Sequence, residues 1–413
     1  MESSCDIQVD HKLLEASVKE RFPFFSHNPD LVFFDNASTT QKPDTVIACM
    51  QDYYSKSCSN AGRANYRLSS KTSKEIEETR SAVARFFNTE EESIAFTSGA
   101  TESLNLIALS WGQANLKDGD EIMVCLEDHK SAVFPWLNLK SNLKKAGINI
   151  EIVPYKVHDV GDYDLATIKE GLSEKTRLIA MSHIHHVYGM DMEVKDIRKI
   201  VGDQVLISLD ACQSAGHIPI DLAQLPVDFL STSGHKMFAG NGVGILWAKK
   251  EIINQLAPVK VGGTGLTIKE SGATMANLFE VGTLNIPAIL SLKAAIEFIE
   301  EIGIKTIESY LAKLTRYAYE GLRAIPGIDF GPGPGRCDCP GGYGIIPFRL
   351  QGIEANDLGF MLDDEDILVR TGDHCRGKQS ESPEEDYVRV SMQIYNTKED
   401  VDKLLEALEE AIS

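Results

Sequence analysis

The chain has 413 residues, 43% of them hydrophobic, and a formal net charge of −20. That length suits about two or three domains with substantial cores, and the apolar content excludes a chain disordered throughout. The acidic balance argues against nucleic acid and anionic membrane as partners, since both demand a basic surface.

The N-terminal stretch MESSCDIQVDHKLLEASVKE is acidic and has no apolar h-region, so neither a signal peptide nor an Arg-rich transit peptide is expected. No segment approaches the ~20 consecutive apolar residues of a membrane helix, and a cytoplasmic location is the expectation. Residues 11–22 read as an amphipathic helix, and LVFFDNAS as a short strand before a polar turn. KTSKEIEETRSAVARFFN is a charged amphipathic helix, with apolar positions three and four apart. A strand–helix rhythm then sets in. SIAFTSG leads into ATESLNLIALSWGQA, EIMVCLED into SAVFPWLNLKSNLKKAG, INIEIVPY into DLATIKEGLS, and TRLIAMSHI into EVKDIRKIVG. VLISLDA, VDFLSTSG and GVGILWAKK add further strands. This alternation predicts an α/β fold with a mostly parallel, doubly wound sheet from about residue 30 to about residue 260. Two long helices follow, IPAILSLKAAIEFIEEIG and KTIESYLAKLTRYAYEGLRAI, and then the punctuating loop GIDFGPGPGRCDCPGGYG. Beyond it the chain reads as a small α+β unit. The expected division is an N-terminal helical segment at 1–29, a large domain at 30–295 and a small C-terminal domain at 296–413.

Eight cysteines are scattered along the chain: Cys5, Cys49, Cys58, Cys125, Cys212, Cys337, Cys339 and Cys375. Without a secretory signal they read as reduced thiols. Cys337 and Cys339 form a CxC pair with no second Cys/His pair at zinc-finger spacing, so no metal site is expected. Cys125 and Cys212 sit in apolar runs and read as inert core residues.

Two segments carry the chemistry. Asp210 ends the apolar run VLISLD, and Lys236 ends VDFLSTSGHK 26 positions later. An acid and a lysine at the C-terminal ends of successive strands of an α/β sheet point into one crevice. That is what pyridoxal 5′-phosphate (PLP) needs: an amine for the Schiff base and a carboxylate that keeps the ring nitrogen protonated. Lys236 lies between SGH and the glycine-rich run MFAGNGVGILW, which encloses it, whereas most lysines after strands face solvent. SGATES, with Ala100 and Thr101, opens a helix whose N-terminal N–H groups suit a phosphate, as they also suit an ordinary cap. Ser233 and His235 beside Lys236 strengthen the phosphate reading. His129 follows the run EIMVCLED and reads either as a ring-stacking group or as a helix cap. Gln213 reads as a ligand of the cofactor's phenolic oxygen or as a polar turn residue. Cys375, between His374 and Arg376, has the nearby positive charge that suits a nucleophilic sulfur, and the RGKQSESPEED that follows reads as an exposed, mobile loop. The bland alternative is a surface thiol. Arg370 and Arg389 each suit a substrate carboxylate gripped in a two-pronged way, or a structural ion pair.

The order TSGATES, His129, LDACQSAG, STSGHK, EVGT and RTGDHC resembles the class V (fold type I) PLP enzymes. More narrowly, it resembles the group II, SUF-type cysteine desulfurases and their selenocysteine-lyase relatives. The resemblance runs from FFDNAST at Phe33–Thr39 to RVSMQIYNTKEDVDKLL at Arg389–Leu405. It implies a fold type I PLP-dependent transferase, with a seven-stranded-type sheet in the large domain. Lys236 would carry the cofactor, Asp210 would pair with the ring nitrogen, His129 would stack on the ring, and Gln213 would contact the phenolic oxygen. Thr101, Ser233 and His235 would hold the phosphate. Thr283, in EVGT, would reach the phosphate of the neighbouring subunit of a homodimer, and Arg63 would lie near the interface. Cys375, on a loop that swings in and out, would take sulfur from L-cysteine, release alanine and hand the sulfur to an acceptor protein. Two departures touch the pocket. His185 and His186 stand where the family commonly has Ser-Asn, the Asn contacting the phenolic oxygen, and an imidazole can donate a hydrogen bond there. Asn65-Tyr66 stands where desulfurases carry a small or apolar residue and a His. They favour as runner-up another class V reaction: a C–S lyase by β- or γ-elimination, an epimerisation, or a biosynthetic step. A third reading is a non-catalytic relay partner that retains the fold.

Overall fold

The computed structural model describes residues 18–62, 65–263, 274–333, 343–378 and 386–412. Seven strands form the main sheet: β2 (Ile94–Thr97), β3 (Glu121–Cys125), β4 (Glu151–Tyr155), β5 (Thr176–Ser182), β6 (Leu206–Asp210), β7 (Phe229–Ser233) and β8 (Gly244–Ala248). Their order is β2-β8-β7-β6-β5-β3-β4, and only β8 runs antiparallel to its neighbours. The mostly parallel sheet expected from the sequence is therefore present.

Strand alternation explains why both faces are covered. Met123, Ile179 and Ile207 enter one apolar cluster, while Ile122, Val124, Leu178 and Ala180 enter a second on the opposite face. Helix Lys130–Lys145 covers the second face at β3, β4 and β5. Helix Ile286–Ile302 packs on helices Asp44–Asp52 and Arg67–Phe86, under the first face. The helix expected over ATESLNLIALSWGQA forms, but a wider π turn at Ala108–Gly112 interrupts it. Of the helix expected at 11–22, only residues 18–19 are helical among those described.

The C-terminal unit is a four-stranded antiparallel sheet, in the order β12 (Arg370–Gly372), β13 (Tyr387–Ser391), β10 (Ile345–Leu350), β9 (Ile328–Phe330). The strand expected in LVFFDNAS is short, β1 (Val32–Phe33), and it pairs with β11 (Ile367–Leu368) and not with the main sheet. Asp35 then bridges to Ser391, and the Ala37 N–H donates to Ser391 Oγ at 2.8 Å. The turn after β1 is thereby laid against β13, at the edge of the crevice where the parallel strands end.

Candidate active site

From β2 the chain crosses over the strands that will lie between to enter β3, so the sheet has a switch point above the C-terminal ends of its parallel strands. A cavity of about 220 Å³ opens there. Of the residues singled out in the sequence, Ala100, Thr101, His129, His186, Asp210, Gln213, Ser233, His235, Lys236, Arg370 and Arg389 all line it.

Main-chain register sets these positions. Asp210 pairs with Ser182 of β5 on one side and Ser231 of β7 on the other. Its Oδ1 accepts from the Cys212 N–H at 3.0 Å, which aims the carboxylate. Lys236 lies in the tight turn Gly234–Lys236, with Met237 and Phe238 fully buried behind it. Gly244 of β8 lies so close to Gly99 that an added Cβ would meet the Gly99 Cα at 2.5 Å. That contact brings the start of helix Ala100–Ile107 against β7, where the Ala100 N–H donates to Ser233 Oγ at 2.8 Å. Thr101 Oγ1 lies 2.8 Å from Ser131 Oγ.

Electrostatics follow from burial. His129 caps helix Lys130–Lys145, its Nδ1 accepting from the Ser131 N–H at 3.1 Å. Burial, then Lys236, pushes His129 down to about 4, so the ring is neutral with its proton on Nε2. His235 is likewise pushed down to about 4 by burial, Lys236 and Lys42. Burial lowers Arg389 to about 10 against the pull of Asp35. Arg389 donates to the His186 carbonyl at 2.8 Å, and to Asp35 Oδ1 and Ser38 Oγ at 3.1 Å each. Arg370 donates to Ser38 Oγ at 2.8 Å and reaches Cys375 Sγ at 3.5 Å.

Cys375 itself flanks the cavity, while its neighbour His374 lines it. The turn is tied down. The Cys375 N–H donates to Asp373 Oδ1 at 2.8 Å, and the Cys375 carbonyl accepts from the Lys130 N–H at 2.8 Å. Gly377 and Lys378 donate to the carbonyls of Asp128 and Leu126 at 2.7 and 2.6 Å. Arg376 reaches Glu127 at 3.2 Å. The free arm expected from the sequence is, over 373–378, a fixed turn, because its backbone pairs with residues 126–130.

Two expectations change. His185 does not face the cavity. Its Nδ1 accepts from the N–H groups of Val187 and Tyr188 at 3.2 Å, its Nε2–H donates to the Glu127 carbonyl at 3.1 Å, and it stacks on Tyr188. Cys212 is not a core residue of β6 but lies in the turn after it and lines the cavity. Gln213 donates its amide N–H to the Ala37 carbonyl at 2.8 Å. Thr283, expected to reach the pocket of a neighbouring subunit, is exposed and does not line this chain's own cavity. Arg63, Cys5, Cys337 and Cys339, with most of RGKQSESPEED, lie outside the described residues.

Sequence reasoning missed Lys42, Ser38, Ser131 and Asp128. Lys42 is pushed down to about 7 by burial, and its ammonium donates to the carbonyls of Thr40 and His235 at 2.5 and 2.9 Å, next to Lys236. Asp128 is fully enclosed and pushed up to about 7 by burial, while Tyr163 and Ser182 donate to it. Nothing in the polar strings STTQKP or LEDHKS distinguishes these residues from surface ones.

Residues 32–404 match the model of the aminotransferase class-V family. The chain belongs to that family. PLP is its cofactor, and this pocket fits it: a carboxylate, a lysine and a helix N-terminus converge where a buried His186 nitrogen has no partner. A probable cysteine desulfurase of Staphylococcus aureus (strain COL) is 36% identical, with 97% of this chain and 98% of that one aligned. One from Synechocystis sp. is 34% identical, with 97% and 96% aligned. The apo cysteine desulfurase of Thermococcus onnurineus NA1 superposes with a TM-score of 0.86 at 30% identity, covering 96% of this chain and 98% of that one. The Escherichia coli cysteine desulfurase CsdA, as its S-sulfonic acid, gives 0.83 at 27% identity, with the same coverage.

Proposed function

We propose that this PLP enzyme is a cysteine desulfurase, which takes the sulfur of L-cysteine onto Cys375 and releases L-alanine. The observation that carries it is Arg370, which lines the cavity and also contacts Cys375 Sγ. One guanidinium thus joins the cofactor pocket to a nucleophile candidate. The full-length likeness to proteins named cysteine desulfurase supports the same reading.

Bound PLP supplies an electron sink conjugated to the substrate's Cα. Asp210 keeps a proton on the ring nitrogen, and Lys236 Nζ moves the proton of the substrate Cα. Neutral His129 would stack on the ring, and Gln213 would help to orient it. Ala100, Thr101, Ser233 and His235 hold the phosphate, joined by Thr283 of a second subunit in a homodimer. Arg389 and Arg370 hold the substrate carboxylate. Cys375 Sγ then attacks the substrate sulfur: the S–S bond forms, the C–S bond breaks, and its electron pair passes to Cβ, which is protonated to give alanine. An acceptor thiol removes the sulfur from Cys375. In this reading 30–295 hold the cofactor and 296–413 present the nucleophile; the four-stranded sheet, built wholly from residues 328–391, supports that division. Among the described residues no helix is long and apolar enough to cross a membrane.

The test is to give PLP-loaded protein L-cysteine and a reducing thiol, and to measure alanine and sulfide beside Cys375→Ala. Equal amounts of both, lost in the variant, support the proposal; turnover indifferent to Cys375 refutes it. That second outcome is what a β- or γ-eliminating C–S lyase would give, a reading favoured by His186 in the pocket wall.

A further inference from the structure

His186 has one ring nitrogen committed and one bare. Its Nε2 lies 3.1 Å from the His374 carbonyl oxygen. A carbonyl only accepts, so Nε2 carries a hydrogen. The ring is buried among His185, His129, Arg389 and Lys236, which together with burial keep it neutral. Nδ1 is therefore a lone pair. It is buried without a partner, on a residue that lines the cavity. Leaving such an acceptor unpaired is costly, so a proton on the pocket's occupant is its natural partner.

The strand order says which proton. Ala100 and Ser233 belong with β2 and β7, on one side of β6 and Asp210, whereas His186 follows β5 on the other side. On the PLP ring the phosphate arm and the phenolic oxygen flank the carbon that faces the lysine. With the phosphate at Ala100 and Ser233, the phenolic oxygen falls to the β5 side. We infer that His186 meets the cofactor's phenol as an acceptor, through Nδ1, and favours its protonated form; this rests on the PLP reading above. The expectation of a donating imidazole is thereby reversed. The reason lies in the Cys375 turn. The Nε2–H that fixes this polarity also holds the carbonyl of His374, which, like Cys375, has a left-handed backbone, with φ of 53° and 62°. The turn carrying the nucleophile therefore dictates which way round the imidazole works.

The experiment loads wild type, His186→Asn and His186→Phe with PLP and determines bound cofactor after alkaline release. Absorbance then compares the visible band of the phenolate form with the near-ultraviolet band of the phenol form, across pH. An Asn amide can donate, and this should raise the visible-to-near-ultraviolet ratio by about tenfold, the scale of one reversed hydrogen bond. Phe offers neither polarity and should fall between. His186→Gln provides a second amide if the Asn variant misfolds. An unchanged ratio in the amide variants, or a shift toward the near-ultraviolet, overturns the inference. Wild type that binds no PLP overturns the cofactor reading itself.

Discussion

Arg80 and Glu280 allow a stability argument with a worked magnitude. Arg80 Nη1 and Nη2 donate to the two Glu280 oxygens at 2.7 and 2.9 Å, and both side chains are buried, 5% and 8% exposed. Glu280 also accepts from the Phe96 N–H at 2.8 Å, and Arg80 donates to the Ile94 carbonyl at 3.2 Å. The pair thus clamps β2 just before Gly99 and Ala100. Burial opposes the Arg80 charge, but Glu280 and Glu77 outweigh it and leave the guanidinium more basic than usual. Glu280→Leu leaves the buried guanidinium with only the largely exposed Glu77 as a counter-charge, which costs at most about 3–5 kcal/mol. For a chain of this size unfolding as one unit, that is roughly 4–6 °C in Tm. Adding Arg80→Met removes the under-paired charge and leaves the Phe96 N–H without Glu280 and the Ile94 carbonyl without Arg80, about 1–3 kcal/mol. Calorimetry of the PLP-free proteins should therefore place the double variant above the Glu280→Leu single. PLP affinity should fall in the single and recover in the double, because β2 leads into the phosphate end of the pocket. A double variant as unstable as the single, or a single within about 1 kcal/mol of wild type, would refute the reasoning.

Three more expectations follow. Burial holds His185 near 3 and His217 near 4, both below the ordinary value of 6.5, so the unfolded chain takes up these protons first on acidification. Their contribution is complete above about 6.5 and lost as pH falls toward 4 and 3, so Tm should be lower at pH ~5 than at pH ~7.5; a higher Tm at the lower pH would contradict this. Asp128 has the opposite sign: its folded value near 7 exceeds the ordinary 3.8, so its contribution is lost as pH rises through that interval. Asp128→Asn should thus gain stability relative to wild type between pH ~5 and ~7.5, and an unchanged difference in urea midpoints would show the carboxyl is ionised throughout. Glu127 accepts from Tyr188 at 2.8 Å and Arg376 at 3.2 Å. Glu127→Gln should speed amide hydrogen exchange at Cys375 and Gly377 about fivefold with little change in Tm; unchanged exchange would mean the main-chain pairing alone holds the turn.

How much was legible depends on which interactions are local. Strand ends were readable because apolar runs such as VLISLD stop at the residue that enters the crevice. Asp210, Lys236 and Ser233 therefore all fell in the cavity. The partners of those residues were not readable. His185 and His186 look equivalent in SHIHHVYG, yet the turn after β5 faces one to the backbone of Val187 and Tyr188 and the other to the cavity. The tethering of Cys375 was hidden because the carbonyls that hold it belong to residues 126–128, far off in sequence. β1 was correctly read as extended, but its partner β11 lies more than 300 residues away and no local pattern names it.

The contact of Arg389 with Asp35 spans 354 residues, and it closes one wall of the pocket with a group from β13. During synthesis that wall cannot exist until nearly the last strand has left the ribosome. The nascent protein must carry an open crevice through most of its translation, and contacts of such separation form slowly. Cofactor capture should accordingly be a late, post-translational event, and a chain stopped before Tyr387 should retain no PLP through gel filtration.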